Sequence, residues 1–183
     1  MKLMIGIPAY NEESVIGKVL SSLPKKIKGI NSIDYVVIDD GSSDQTMIKA
    51  QNDGAIVLKH IINRGLGAAL KTLFKYAKNN RYDVLITLDA DGQHEGKDVV
   101  KILDPIVSHK TDVVIGSRWI INAKSPLFRK LINFGANFIT YLLFGIWSTD
   151  TQSGFRAFNS KAINAIELLS DGMEVSSEFF KEI

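Results

Sequence analysis

Val84-Leu85-Ile86-Thr87-Leu88-Asp89-Ala90-Asp91-Gly92-Gln93 decides the fold of this chain. A continuous apolar run reads as a strand buried on both faces, and such strands belong to parallel sheets. The run gives way abruptly to two carboxylates spaced i, i+2. On an extended segment those side chains point the same way. Placed together at a strand end they repel unless a cation lies between them. Mg²⁺ takes oxygen ligands, commonly one or two carboxylates with substrate phosphates completing the shell. The segment therefore suggests a metal holding a diphosphate. A lone Asp-x-Asp in a turn is common enough that the rest of the chain must carry the case.

Working outward, strand-like and helix-like segments alternate. Leu3 to Pro8, Tyr35 to Ile38, Ile56 to Leu58 and Val113 to Ile115 are short apolar runs like Val84 to Leu88. Between them, Val15, Ile16, Val19, Leu20 and Leu23 recur at helical spacing, as do Leu66, Ala69, Leu70, Leu73, Phe74 and Ala77. Val99 to Val107 reads as a helix that Pro105 should kink or shorten. Asn11-Glu12-Glu13-Ser14 is a plausible helix start, and Ser42 and Ser43 are expected to cap the following helix. The pattern is an α/β fold with a mostly parallel sheet and helices on both faces. Ligands in such sheets bind beyond the carboxyl ends of the strands. Pro8-Ala9-Tyr10-Asn11-Glu12, Asp39-Asp40-Gly41, Asp89-Ala90-Asp91 and Arg118 all fall at that edge.

Composition sets bounds. The 183 residues suit one domain with a sizeable core, 45% hydrophobic and 23% charged. A net charge of +2, without a Lys/Arg cluster, gives no reason to expect nucleic acid as a partner. Without cysteine there is no disulfide framework, and a reducing, cytoplasmic setting fits. The first residues, Met-Lys-Leu-Met-Ile-Gly-Ile-Pro, read as a strand and not as a signal peptide. The chain stops at Glu182-Ile183, inside what reads as a helix, so a truncated catalytic domain is expected.

Taken together and in order, Ile7-Pro8-Ala9-Tyr10-Asn11-Glu12-Glu13, Val37-Ile38-Asp39-Asp40-Gly41-Ser42-Ser43-Asp44, Asn63-Arg64-Gly65-Leu66-Gly67-Ala68-Ala69, Asp89-Ala90-Asp91-Gly92-Gln93-His94, Val114-Ile115-Gly116-Ser117-Arg118 and Asp150-Thr151-Gln152-Ser153-Gly154-Phe155-Arg156 resemble the family-2 glycosyltransferases of the GT-A fold. Within that family they are most similar to the branch that makes dolichyl- or polyprenyl-phosphate sugars. The resemblance implies roles. Pro8, Tyr10 and Glu12 would line the nucleotide pocket of a sugar donor. Ile38 and Asp40 would contact the base. Asp89, Ala90 and Asp91 would meet ribose, diphosphate and a Mg²⁺ or Mn²⁺ ion, with Gln93 as a further metal or diphosphate ligand. Arg118 would face the phosphate chemistry, and Arg129 matches an arginine for the acceptor phosphate. Asn133 lies where some relatives carry Ser. Glu95-Gly96 departs from the proline that relatives often place after the His of this loop.

Physical chemistry is consistent with those roles. A cation stabilises the charge that grows on a departing diphosphate. Arginine's planar fork suits phosphate oxygens. A lipid phosphate is already ionised, so its transfer needs no strong general base. A saccharide acceptor would need one, with Glu174 or Glu178 as candidates. A non-catalytic nucleotide-binding fragment is the alternative outside enzymes. A nucleotidyltransferase would carry a Gly-rich basic loop after the first strand, where this chain has Pro8-Ala9-Tyr10-Asn11.

Four features stay open on sequence alone. Asn63-Arg64-Gly65-Leu66-Gly67 could cradle phosphate or simply enter a helix tightly. His60 and His109 have no evident partners. Glu178 could be a solvated helix residue. Leu127 to Trp147 is an amphipathic helix with a wide apolar face, its Arg129, Lys130, Asn133, Asn137 and Thr140 falling on one side. Too interrupted to span a bilayer, it could be a core helix; the reading adopted is a helix in the membrane interface at the cytosolic face, holding the enzyme near a lipid-phosphate acceptor.

Overall fold

The fold was described from a computed structural model, which defines residues 1–92, 96–116 and 153–182. Gln93, His94, Arg118, Arg129, Asn133 and the 127–147 segment lie outside the described residues.

Six strands form one sheet. In chain order they are β1 (Lys2–Ala9), β2 (Ser32–Asp39), β3 (Ile56–Lys59), β4 (Val84–Thr87), β5 (Val113–Ile115) and β6 (Arg156–Asn159). The spatial order is β3-β2-β1-β4-β6-β5. Strands β1 to β4 pair in parallel, while β6 runs antiparallel between β4 and β5. The sheet is thus mostly parallel, as the apolar runs indicate. The antiparallel β6 is an addition: Arg156-Ala157-Phe158-Asn159 is too short for its period to be read, and its partners are distant in sequence. Gly116 donates its amide to Phe155 O at 2.8 Å, so the chain leaves β5 and enters β6 at neighbouring points.

Alternation along the strands divides two cores. Leu3, Ile5, Ile7, Val37, Val84 and Ile86 face α1 (Ile16–Ser22), α2 (Thr46–Asn52) and α4 (Gly96–Val107). Met4, Val36, Ile38 and Leu85 face α3 (Leu66–Asn79), α5 (Ser160–Ala165) and α6 (Val175–Glu182). On the second face Phe158 sits between Phe74 and Phe179, with centroids 5.0 and 5.5 Å away. Gly6 lets α3 lie directly on β1, because a Cβ there would fall 2.7 Å from Leu73 Cδ2. Pro105 sits in the last turn of α4, which ends two residues later at Val107.

Two helix starts differ from the sequence expectation. Helix α1 begins only at Ile16, after a turn in which Glu12 O accepts from the amides of Val15 and Ile16. No acidic residue lies in its first turn. Asn11 adopts φ 54°, the left-handed conformation that Asn tolerates. Neither serine caps α2. Asp44 does the work instead, its Oδ1 accepting from Thr46 N at 2.9 Å, while Ser42 Oγ accepts from Asn11 N.

Candidate active site

The strand order reverses beside β1. The chain moves outward from β1 to β2 and β3, then returns to β4 on the other side. The loops after β1 and β4 leave the sheet at this switch point, which is where open α/β sheets bind ligands in a crevice. Tyr10, Asn11 and Glu12 form one lip; Asp89, Ala90 and Asp91 form the other.

The first lip is stitched to the loop after β2. Glu12 N donates to Thr46 Oγ1 at 2.8 Å, and Glu13 N donates to Asp44 Oδ2 at 3.1 Å. In return Gln45 N donates to Glu13 Oε2 and Ser43 N to Asn11 Oδ1, each at 2.9 Å. The acidic residues that resemble a helix start therefore rivet two loops. Burial pushes the Glu12 carboxyl up, and the charges of Asp91 and Asp44 raise it further. The Asp91 charge therefore reaches Glu12 from the neighbouring loop. Asp44 goes the other way: burial raises it, but hydrogen bonds from Thr46 and the Glu13 amide outweigh that and lower it overall.

On the second lip, Asp89 lies against the backbone of Gly154. A Cβ at Gly154 would fall 2.6 Å from Asp89 Oδ2. Gly154 is held in turn by Thr87 Oγ1, which donates to its carbonyl at 2.7 Å. Ala90 is buried, and Asp91 is exposed at the crevice. Gly92, at φ 72°, turns the loop over the start of α1, near Val15. Pro8 and Ile38 are register partners on β1 and β2, and Tyr10 is 47% exposed. The Ile38 side chain is fully buried in the core that packs against α3.

Asp40 is not a plain turn residue. Its side chain is 7% exposed and takes three donors: His60 Nδ1 at 2.6 Å on Oδ1, Gly65 N at 2.8 Å on Oδ2, and Arg64 N shared between both oxygens at 3.0 and 3.1 Å. His60 continues through Nε2 to Thr72 Oγ1 on α3 at 2.9 Å. No partner for His60 was evident from sequence; the signal available was its place one residue beyond β3, in register with the ends of β1 and β2.

The glycine-rich entry to α3 is not an open cradle. Ala68 N donates to Asp171 O, and Cβ atoms at Gly65 or Gly67 would strike the 170–172 backbone. That strap is fixed from both sides. Lys71 Nζ donates to Leu169 O at 2.5 Å and to Asp171 Oδ1 at 2.6 Å. Glu178 accepts from Leu169 N at 2.6 Å and Ser170 N at 2.9 Å. Burial raises the Glu178 carboxyl, yet the two amides and nearby Lys71 bring it below its ordinary value. Arg156, at the start of β6, is buried with its guanidinium 4.4 Å from the Phe179 ring centroid and Nη2 donating to Ser176 O.

Among the described residues no cluster of three or more His, Asp and Glu side chains forms a complete cation site by itself. Gln93, the third expected ligand, lies outside them. What the crevice does present is an all-oxygen donor set of like charge, which suits a hard divalent ion. No described helix is long and apolar enough to cross a membrane.

Comparison with known proteins agrees with this architecture. A chain of Methanocaldococcus jannaschii carrying no assigned activity is 46% identical over 183 residues, covering 97% of this chain and 74% of the relative. The UDP-N-acetylglucosamine–dolichyl-phosphate N-acetylglucosaminyltransferase of Methanococcus voltae is 37% identical, covering 94% and 76%. The undecaprenyl-phosphate mannosyltransferase of Micrococcus luteus is 31% identical, covering 92% and 70%. Among solved structures, glucosyl-3-phosphoglycerate synthase of Mycobacterium tuberculosis, in complex with Mn²⁺, UDP and phosphoglyceric acid, superposes with a TM-score of 0.72 at 21% identity. That match covers 96% of this chain and 61% of the synthase, so the chain spans under two thirds of its length and shares its fold. The model of glycosyl transferase family 2 matches residues 4–166. With a GT-A-type sheet, acidic lips at its switch point and that match over most of its length, this chain belongs to glycosyl transferase family 2.

Proposed function

We propose that the protein transfers a sugar from a nucleotide-sugar donor to a polyprenyl phosphate, with inversion at the sugar carbon, at the cytosolic face of a membrane. The observation that carries this reading is the placement of Glu12 and the Asp89-Ala90-Asp91 loop at the ends of adjacent parallel strands, β1 and β4, where the strand order reverses. Carboxylates gathered at such an edge repel, and a divalent cation serving a diphosphate would offset that repulsion. The lipid-phosphate acceptor is supported by the relatives from Methanococcus voltae and Micrococcus luteus, whose names state such acceptors.

In this reading Pro8, Tyr10 and Glu12 line the nucleotide pocket, with Ile38 behind it. Asp40 acts at the base end, where it also holds the 64–65 loop. Asp89 and Ala90 meet ribose and diphosphate. Asp89, Asp91 and Gln93 would hold Mg²⁺ or Mn²⁺, which would supply Lewis-acid stabilisation of the departing diphosphate. Arg118 and Arg129 would pair with the acceptor phosphate and offset its repulsion from the donor. An acceptor phosphate oxygen then attacks the anomeric carbon from the face opposite the leaving group. The new bond forms as the bond to the nucleoside diphosphate breaks, and the diphosphate leaves as an anion. The phosphate is already ionised, so no base need remove a proton. Glu178 is a poor base for a saccharide acceptor, since both its oxygens receive strap amides.

Calorimetry of the chain with UDP and with GDP, each with and without Mn²⁺, tests the donor half. One nucleotide should bind, and only with metal. Binding of neither, or equal binding without metal, would overturn it.

A further inference from the structure

We propose that His60 is a positioning residue that sets affinity for the donor nucleotide by locking the rim loop 62–65. The inference rests on the reading that this edge of the sheet takes a nucleoside diphosphate.

Burying a carboxylate as deeply as that of Asp40 is costly unless its oxygens are well supplied with donors. Two of the three donors are amides of the loop itself, at Arg64 and Gly65. The third, and the only side-chain donor to Asp40 among the described residues, is His60 Nδ1. A 2.6 Å contact to a carboxylate places a proton on Nδ1. The ring cannot swing away, because Nε2 meets Thr72 Oγ1 in the third helix, and the Thr72 hydroxyl lies 3.0 Å from Ala68 O. His60 thus fixes the plane of the Asp40 carboxylate against a rigid helix.

That plane decides where the loop sits. Both Asp40 oxygens aim at loop amides, and they draw the loop down on the turn after the second strand. The approach is close: a Cβ at Gly41 would lie 2.5 Å from Asn63 N and from Ile62 C. Gly41 and Gly65 adopt φ values of 77° and 94°, which permit the contact and the entry to the helix. Beyond Asp40 the loop is held by Asn63 Oδ1, which also accepts from Gly65 N at 3.1 Å, and by the 170–172 backbone against Gly65, while the Ile62 side chain is 68% exposed. Without the imidazole, Asp40 can rotate, and the loop samples positions that do not form the rim. A pocket that is competent only part of the time binds more weakly in proportion.

Two measurements on the chain test this. Hydrogen exchange reads the anchor without any ligand: His60→Leu should speed exchange at the Arg64 and Gly65 amides while the sheet stays protected. Titration with UDP and GDP in Mn²⁺ reads the consequence: His60→Leu should weaken whichever nucleotide the natural sequence binds by about tenfold. His60→Asn keeps a donor where Nδ1 lies and should recover most of that loss, which repacking alone would not achieve. Should His60→Leu fail to fold, Thr72→Val frees the ring without touching Asp40 and should shift both readouts in the same direction. Unchanged exchange at Arg64 and Gly65, or nucleotide affinity equal to that of the natural sequence, would overturn the role. If the unaltered chain binds neither nucleotide, the donor reading itself fails, and the donor role of His60 falls with it.

Discussion

Gly154→Ala is the sharpest probe of how the acidic lip is built. Gly154 does not adopt the left-handed conformation, so alanine meets no backbone penalty and the substitution isolates one methyl group. That methyl would lie 2.5 Å from Asp89 Cγ and 2.6 Å from Oδ2. Asp89 Oδ1 is nearer still, and carbon contacts settle near ~3.5–4.0 Å, so the carboxylate must retreat by more than about 1 Å. Gly154 itself cannot give way freely, because its carbonyl is held by Thr87 Oγ1 at 2.7 Å. The stability cost should be that of modest overpacking, about 1–3 kcal/mol. The functional cost should be larger in proportion, since a displacement of about 1 Å at a reacting constellation can lower turnover about 100-fold. Thermal melting gives the first quantity, and metal-dependent nucleotide binding with sugar transfer gives the second. Binding and turnover within threefold of the natural sequence would show that Asp89 does not need the position Gly154 gives it.

Other expectations follow from the same geometry. Asp91→Ala should abolish Mn²⁺-dependent binding of UDP or GDP while leaving the melting temperature nearly unchanged, because Asp91 is exposed on a loop; calorimetry paired with melting separates the two. Glu12 has its carboxyl raised in the folded state, so it favours folding below the ordinary carboxylate range, and that contribution is lost as pH rises through its folded value. Metal-free Glu12→Gln should therefore gain stability relative to the natural sequence as pH rises above the ordinary carboxylate range, as followed by urea melts. Glu178 is lowered, so its contribution is present above the unfolded value and is lost as pH falls through the folded one. Glu178→Ala should cost about 1–3 kcal/mol at neutral pH, with the loss shrinking in acid and exchange rising at Leu169 and Ser170.

The parallel core was legible because its strands carry their own signal. Leu3 to Ile7 and Val84 to Ile86 are buried throughout, and a run without polar breaks admits few other readings. The acidic crevice was legible for a related reason: strand ends in a parallel sheet share an edge, so motifs after separate strands must meet. What sequence could not supply was direction in space for single polar groups. Glu12 and Glu13 look like a helix start, yet both their amides and the Glu13 carboxylate serve the loop after β2. Gly65 and Gly67 look like a phosphate cradle, but the strap at 170–172, a hundred positions later, fills that space. His60 had no neighbour in sequence, and its two partners come from different elements. Such pairings depend on side-chain geometry after the sheet has assembled, and no local period encodes them.

The join between Gly116 and Phe155 has an evolutionary consequence. The chain departs from the sheet and comes back through a single hydrogen-bonded gate of 2.8 Å. Gly116 and Phe155, which flank residues 117–152, are therefore pinned together. Changing the length of the sequence between such points alters the closure entropy only logarithmically, by about 0.6 kcal/mol per doubling. A lineage can thus lengthen, shorten or exchange that sequence while the sheet edge built on β1, β2 and β4 is inherited intact. Arg118 and Arg129 both fall within it. Chimeras that exchange residues 117–152 and keep Gly154 in place should fold.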